Sequence, residues 1–193
     1  ETKKVHKALE YDTNIDLNKY INNLVAYFKA KGLLINPRMV RTILSNLTAN
    51  RINIINNENE IDAKKVYYLL SEFIGANINT LEVNNNMKDS DYLESDRSIL
   101  NQAIKVARST KDKINILILD KVNFNKFSDN YKNIINHAKS PDTKHVFRTK
   151  SLNITIPRNL WFIVIPNSKD TPNLEDEVRD SGTFVNLKVE ETE

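Results

Sequence analysis

Acidic and basic side chains crowd one short stretch of this chain, Asn57-Glu58-Asn59-Glu60-Ile61-Asp62-Ala63-Lys64-Lys65. Carboxylates beside ammonium groups are the residue types that handle phosphate and divalent cations, or that neutralise one another. Which of these applies depends on the elements that carry them. Upstream, Ile52, Ile54 and Ile55 form a short apolar run of strand type. Downstream, Val66, Tyr67, Leu69, Leu70, Phe73 and Ile74 recur at helical spacing. A loop between a strand and a helix can cradle phosphate, because the helix start offers free N–H groups and the positive end of its dipole. The cradle needs glycines, so that backbone amides can close around the anion, and a Lys-Ser/Thr pair. The loop Asn56–Lys65 contains no glycine, and Glu58, Glu60 and Asp62 put negative charge where phosphates would sit. The frame of a nucleotide site is present, and its chemistry is removed.

Composition narrows the remaining choices. A chain of 193 residues with 40% hydrophobic content can bury a sizeable core as one domain with a small helical appendage. A net charge of +3 on a 27% charged chain does not by itself point to nucleic acid. Cysteine is absent, which excludes disulfides and thiolate metal sites and fits a reducing compartment. His6, His137 and His145 form no ligand-spaced cluster, so no metal is expected. No apolar run approaches the ~20 residues of a membrane span, and no signal-peptide pattern opens the chain, so a cytoplasmic location is expected. The opening Glu rather than Met is consistent with a piece of a longer protein. Asparagine is abundant but spread through periodic segments, which argues against a low-complexity tract.

Two amphipathic helices are expected before the central stretch. Leu17, Tyr20, Ile21, Leu24, Val25 and Phe28 share one helical face, with Asp16 as N-cap and Gly32 as the stop. Asn36-Pro37 starts a second helix, which buries Met39, Val40, Ile43, Leu44 and Leu47. Strands then alternate with helices: a strand over 80–83, a helix over 98–108, the continuous apolar run Ile114–Leu119, and a helix over 128–139. Short segments at 146–147 and 152–156 suggest a hairpin. A second apolar run, Leu160–Ile165, and an alternating edge strand over 183–189 complete the series. Repeated βα units predict an α/β fold, doubly wound, with a mostly parallel five-stranded sheet. Residues 1–50 read as a helical lead-in and residues 51–193 as the α/β core.

Several strings in this order resemble the AAA+ P-loop NTPase core, in particular its McrB-type branch, the GTP-driven motor subunit of McrBC restriction systems. Asp89-Ser90-Asp91-Tyr92-Leu93-Glu94 is similar to the family's "DLLG"-like string, and Ile116–Asn123, ILILDKVN, to its Walker B strand ending in Asp-Glu-x-Asn. Ile156-Pro157-Arg158-Asn159-Leu160 matches the string leading into the sensor strand, and Ile165–Asp170 the string that ends it. Glu177–Ser181 echoes the arginine-finger string. The resemblance covers roughly residues 33–190. It implies the strand order 5-1-4-3-2, with two helices added at the N-terminus and a small β-hairpin insertion, and a magnesium-nucleotide site at the carboxyl ends of the strands.

Carried over position by position, that site is degenerate. The Walker A lysine falls at Ala63 or Lys64, with Lys65 following, and no glycine flanks it. Asp120 matches the magnesium-linked aspartate, but Lys121 replaces the glutamate that polarises the attacking water, and an ammonium cannot accept a proton at neutral pH. Asn123 and the sensor residue Asn167 remain. Arg179 is kept, while Ser181 stands where a second arginine belongs, and a missing arginine finger alone costs orders of magnitude in rate. No helical lid follows the last strand within the sequence. The degenerate positions are thus Asn57, Glu58, Glu60, Asp62, Lys64, Lys65, Asp120, Lys121, Asn123, Asn167 and Arg179. No catalytic residue and no cofactor is expected, the alternative being Mg-ATP or Mg-GTP held by Lys64 or Lys65 and Asp120.

Three functions compete at this level. The first is a catalytically inactive AAA+-like domain, structural or protein-interacting, with a protein partner or self-association in a larger or defence-related assembly. The second is nucleic-acid binding through the locally basic hairpin face, with Lys144, Arg148 and Lys150 as candidate contacts. The third is an NTPase with an atypical site. Lys121 is expected to pair with Asp120 or with an acid of the loop such as Glu60, as a structural substitute for magnesium. Trp161 reads as core.

Overall fold

Strands that are apolar at every position must be covered on both faces, and the fold follows from that need. The computed structural model describes residues 16–57, 62–83, 98–122, 147–148, 153–167 and 183–187. The elements are α1 Leu17–Ala30, α2 Pro37–Ala49, β1 Ile52–Asn57, α3 Ala63–Ile74, β2 Asn77–Glu82, α4 Ile99–Ser109, β3 Asn115–Val122, β4 Phe147–Arg148, β5 Asn153–Ile154, β6 Leu160–Pro166 and β7 Thr183–Leu187. Five strands form one sheet in the order β2-β3-β6-β1-β7, and every pairing in it is parallel. Numbered along the chain without the hairpin, this is 5-1-4-3-2, the order that the resemblance implies. The strands β4 and β5 pair antiparallel as the small hairpin, Phe147 opposite Ile154. The helix expected over 128–139 lies outside the described residues.

Alternation along the strands divides the core. Ile52 and Ile54 of β1, Leu117 and Leu119 of β3, and Phe162 and Val164 of β6 face α4, which contributes Leu100, Ala103, Ile104 and Ala107. Ile55, Ile116, Ile118 and Ile163 face the opposite way and meet Ile21, Leu24 and Phe28 of α1, Val40 and Ile43 of α2, and Val66, Tyr67 and Leu70 of α3. The sheet is therefore doubly wound, and the two N-terminal helices share a core with it. Tyr67 is fully buried and Tyr68 is 41% exposed, so these consecutive rings of α3 point to different sides of the helix. Tyr20 and Tyr27, two turns apart on α1, both set their rings 5.4 Å from that of Phe73 and dock α1 on α3.

Each described helix begins at a side chain that satisfies an orphan amide. Asp16 accepts from the N–H groups of Asn18 and Lys19, Asn36 from Met39, Asp62 from Lys65 and Ser98 from Asn101. Gly75 takes the left-handed conformation (φ 75°) that ends α3. Amides also govern the amino edge of the sheet. The Nδ2 of Asn159 donates to the carbonyls of Ala107 (2.8 Å), Thr110 (3.0 Å) and Lys113 (3.2 Å), tying the end of α4 to the start of β6. Asn77 Nδ2 donates to Asn115 Oδ1 at 2.9 Å, which explains why β2 starts at Asn77 rather than at Thr80. The sequence shows only a polar residue there, and the register supplies its partner. The indole N–H of Trp161 donates to the Leu47 carbonyl at 2.9 Å, satisfying one of the last carbonyls of α2.

Asn159 bonds three carbonyls with one amide, so Asn159→Ala is expected to cost about 1–2 kcal/mol. Urea unfolding followed by Trp161 fluorescence measures it. Asn159→Asp, which puts a carboxylate against those carbonyls, is expected to be worse.

Candidate functional site

In an open parallel sheet a ligand crevice forms where successive connections depart to opposite sides. Here the chain leaving β1 runs through α3 to β2 at one edge, and the chain leaving β6 reaches β7 at the other. The switch point therefore falls between β1 and β6, at their carboxyl ends and near the start of α3. Asn57 ends β1 beside Leu187, and the N–H of Asn167, just after β6, donates to the Val122 carbonyl at 2.8 Å.

Charge at this edge is paired. Lys64, in the first turn of α3, places its Nζ 2.9 Å from Asp120 Oδ2; the lysine side chain is 43% exposed and the aspartate 7%. The other carboxylate oxygen, Oδ1, accepts the N–H of Lys121 at 3.0 Å. Both oxygens of Asp120 are thus engaged, and its carbonyl takes the N–H of Val83 at 2.9 Å. The hydrogen bond and charge of Asp120 raise the pKa of Lys64 above 10.5, with Asp62 and Glu82 adding to the effect and burial opposing it.

Lys121 sits at a break in the ladder. The register between β3 and β6 shifts between Leu119 and Val122, and Lys121 takes φ 56°, the one left-handed non-glycine among the described residues. The extra residue returns Val122 to the buried face and turns Lys121 outward. Its Nζ meets Glu82 Oε1 at 2.8 Å, with both side chains more than half exposed. The sequence predicts Asp120 or Glu60 as its partner. Glu60 lies outside the described residues, Asp120 is taken by Lys64, and the β2–β3 register that sets Glu82 beside Asp120 brings Glu82 within reach instead. Sequence reading overlooked Glu82, whose only signal is its place at the end of a strand.

The remaining candidates separate. Asp62 caps α3 by accepting the N–H of Lys65 at 3.2 Å. The Lys65 side chain leaves the crevice, its Nζ 3.9 Å from where a Cβ on Gly32 would stand. Glu58, Glu60, Asn123, Arg179, Lys144 and Lys150 lie outside the described residues, as does the side chain of Arg148. Among the described residues no group of three or more His, Asp or Glu could hold a metal ion, and no helix is long and apolar enough to cross a membrane.

The described groups that face this end of the sheet already have partners within the chain. An incoming phosphate meets Asp62 already on a helix-start amide, and Lys64 already bonded to a buried carboxylate. Comparison with known proteins found no matching protein-family model and no match among curated proteins.

Lys64→Met leaves the Asp120 charge buried without its cation and is expected to cost about 1–2 kcal/mol, a value held down by the exposure of the lysine. Asp120→Asn in that background should restore most of it, as a double-mutant cycle by urea unfolding reports. Because the folded lysine has the higher pKa, the stabilisation is complete below about pH 10.5 and vanishes as pH climbs through the folded value, so Lys64→Met and wild type should converge there. At Lys121, relief of the left-handed backbone outweighs an exposed ion pair. Lys121→Gly should be neutral or about 1 kcal/mol stabilising, and Lys121→Val destabilising by a similar amount, read from thermal unfolding.

Proposed function

We propose that this chain is a catalytically inactive AAA+-like domain, a structural or protein-interaction module whose nucleotide site has been replaced by internal ion pairs. The observation that carries the reading is the 2.9 Å bond between Lys64 and Asp120. In the family that the sequence resembles, the corresponding lysine and aspartate serve the phosphates and the magnesium ion. Here they serve each other. Asp62 on the helix start and Lys121 in place of the water-polarising glutamate support the same reading. What the domain then offers is surface: strand ends, helix faces and a hairpin suited to a protein partner or to self-association in a larger, defence-related assembly.

The McrB-type resemblance and the 5-1-4-3-2 order favour one alternative, an NTPase with an atypical site. Lys64 and Asp120 are close enough to be prised apart by a strongly bound Mg-nucleotide. Calorimetric titration with Mg-ATP and Mg-GTP separates the two readings. No binding tighter than about 1 mM is expected, since the ligand must break a charge pair and displace a cap. Micromolar binding that Asp120→Asn abolishes would sink the inactive-domain reading and establish the alternative.

A further inference from the structure

From Leu17 to Asn57 the chain contains no aspartate or glutamate at all. In a protein with 25 acidic residues among 193, an acid-free stretch of that length is not a matter of composition. The structure shows what it produces. Both exposed stripes of the α1–α2 pair are basic and polar: Lys19, Asn22, Ala26 and Lys29 on α1, and Arg38, Arg41, Ser45 and Thr48 on α2. Arg41 reaches across to the side chain of Asn18, so the two stripes meet. Among the described residues none of these cations makes a salt bridge. Among the described residues, Asp16 caps α1 and Glu72 on α3 holds the Tyr27 hydroxyl, so both carboxylates are occupied.

We infer that the outer face of the α1–α2 pair binds the phosphate backbone of double-stranded nucleic acid without reading sequence. Guanidinium, ammonium, hydroxyl and amide donors are the groups that contact phosphates and sugars, and this face presents all four. Lys19 and Lys29 stand ten residues apart, about 15 Å along the axis, a reach that crosses several phosphates of a duplex. The chemistry disfavours other polyanions. A lipid surface calls for a row of large apolar side chains beside the cations, and here the exposed ones are limited to Leu17 and Leu34. A single strand calls for exposed aromatic platforms, and the rings of α1 are turned into the aromatic contact with Phe73. The inference does not rest on the proposed loss of nucleotide binding, because these helices take no part in that crevice.

Fluorescence anisotropy with a labelled 20-base-pair DNA, its RNA counterpart and a 20-nucleotide single strand tests it, with the whole chain at 50 to 200 mM salt. Both duplexes should bind, losing roughly 100-fold in affinity across that range, and Lys19→Gln/Lys29→Gln/Arg38→Gln should bind at least 10-fold more weakly with a log–log salt slope shallower by about 2–3. Far-UV circular dichroism and Trp161 fluorescence verify that the variant is folded. Lys111→Gln/Lys113→Gln, which removes exposed cations from the turn before β3, should change nothing, and neither should Arg148→Ala/Lys150→Ala in the hairpin region. Absence of duplex binding at 50 mM salt overturns the inference. So do unchanged binding by the triple variant, an equal loss in either control, tighter binding to the single strand, or a preference for phosphatidylserine vesicles.

Discussion

A carboxylate that is 7% exposed must be balanced where it stands, and the carboxyl edge of the sheet is built around that requirement at Asp120. The need arises from the sheet itself. Parallel pairing brings every strand end to one edge, and β3 runs buried until it gets there. Lys64 can supply the balance because Asp62 sets where α3 begins, and so where its first turn projects. Asp120 also accepts the N–H of Lys121, so the same carboxylate anchors the bulge that sends Lys121 to Glu82 and returns Val122 to the core. Cap, ion pairs and bulge are one arrangement. Its effect is to give Lys64, Asp120, Lys121 and the Lys65 amide partners within the chain.

The amino edge is built from neutral amides instead. Asn77, Asn115 and Asn159 link β2, β3, β6 and the end of α4 through side-chain hydrogen bonds, and Trp161 does the same for α2. Amides suit this edge because the groups to be satisfied are carbonyls at helix ends and the first residues of strands, which need donors without adding charge. The abundance of asparagine is in part explained by this use. Asn159 is instructive, since it lies in one of the strings behind the family resemblance and its role here is to join two elements.

Much of the architecture was legible in order and pattern. The apolar runs at β3 and β6 announced strands covered on both faces, and helical spacing announced α1 to α4, because burial on a fixed period leaves its trace in residue type. Less was legible at the site. The missing glycines and Lys121 could be read directly, because those functions depend on residue identity. The partners of Lys64 and Lys121 could not. Glu82 lies 39 positions from Lys121, and Asp120 lies 56 from Lys64, so only parallel register and the entry angle of α3 bring them together.

The sequence by itself determined the α/β class, the starts of α1 and α2 and the absence of a glycine cradle. Each of these is a local property of backbone freedom, side-chain chemistry or hydrophobic period. Only the tertiary structure decided which charges meet, which residue of β3 is squeezed out at φ 56°, and that an acid-free stretch of sequence puts Lys19, Lys29, Arg38 and Arg41 on the exposed sides of two packed helices. Those outcomes depend on pairs of residues far apart in the chain, and in such pairs neither residue type carries information about the other until the sheet has set them side by side.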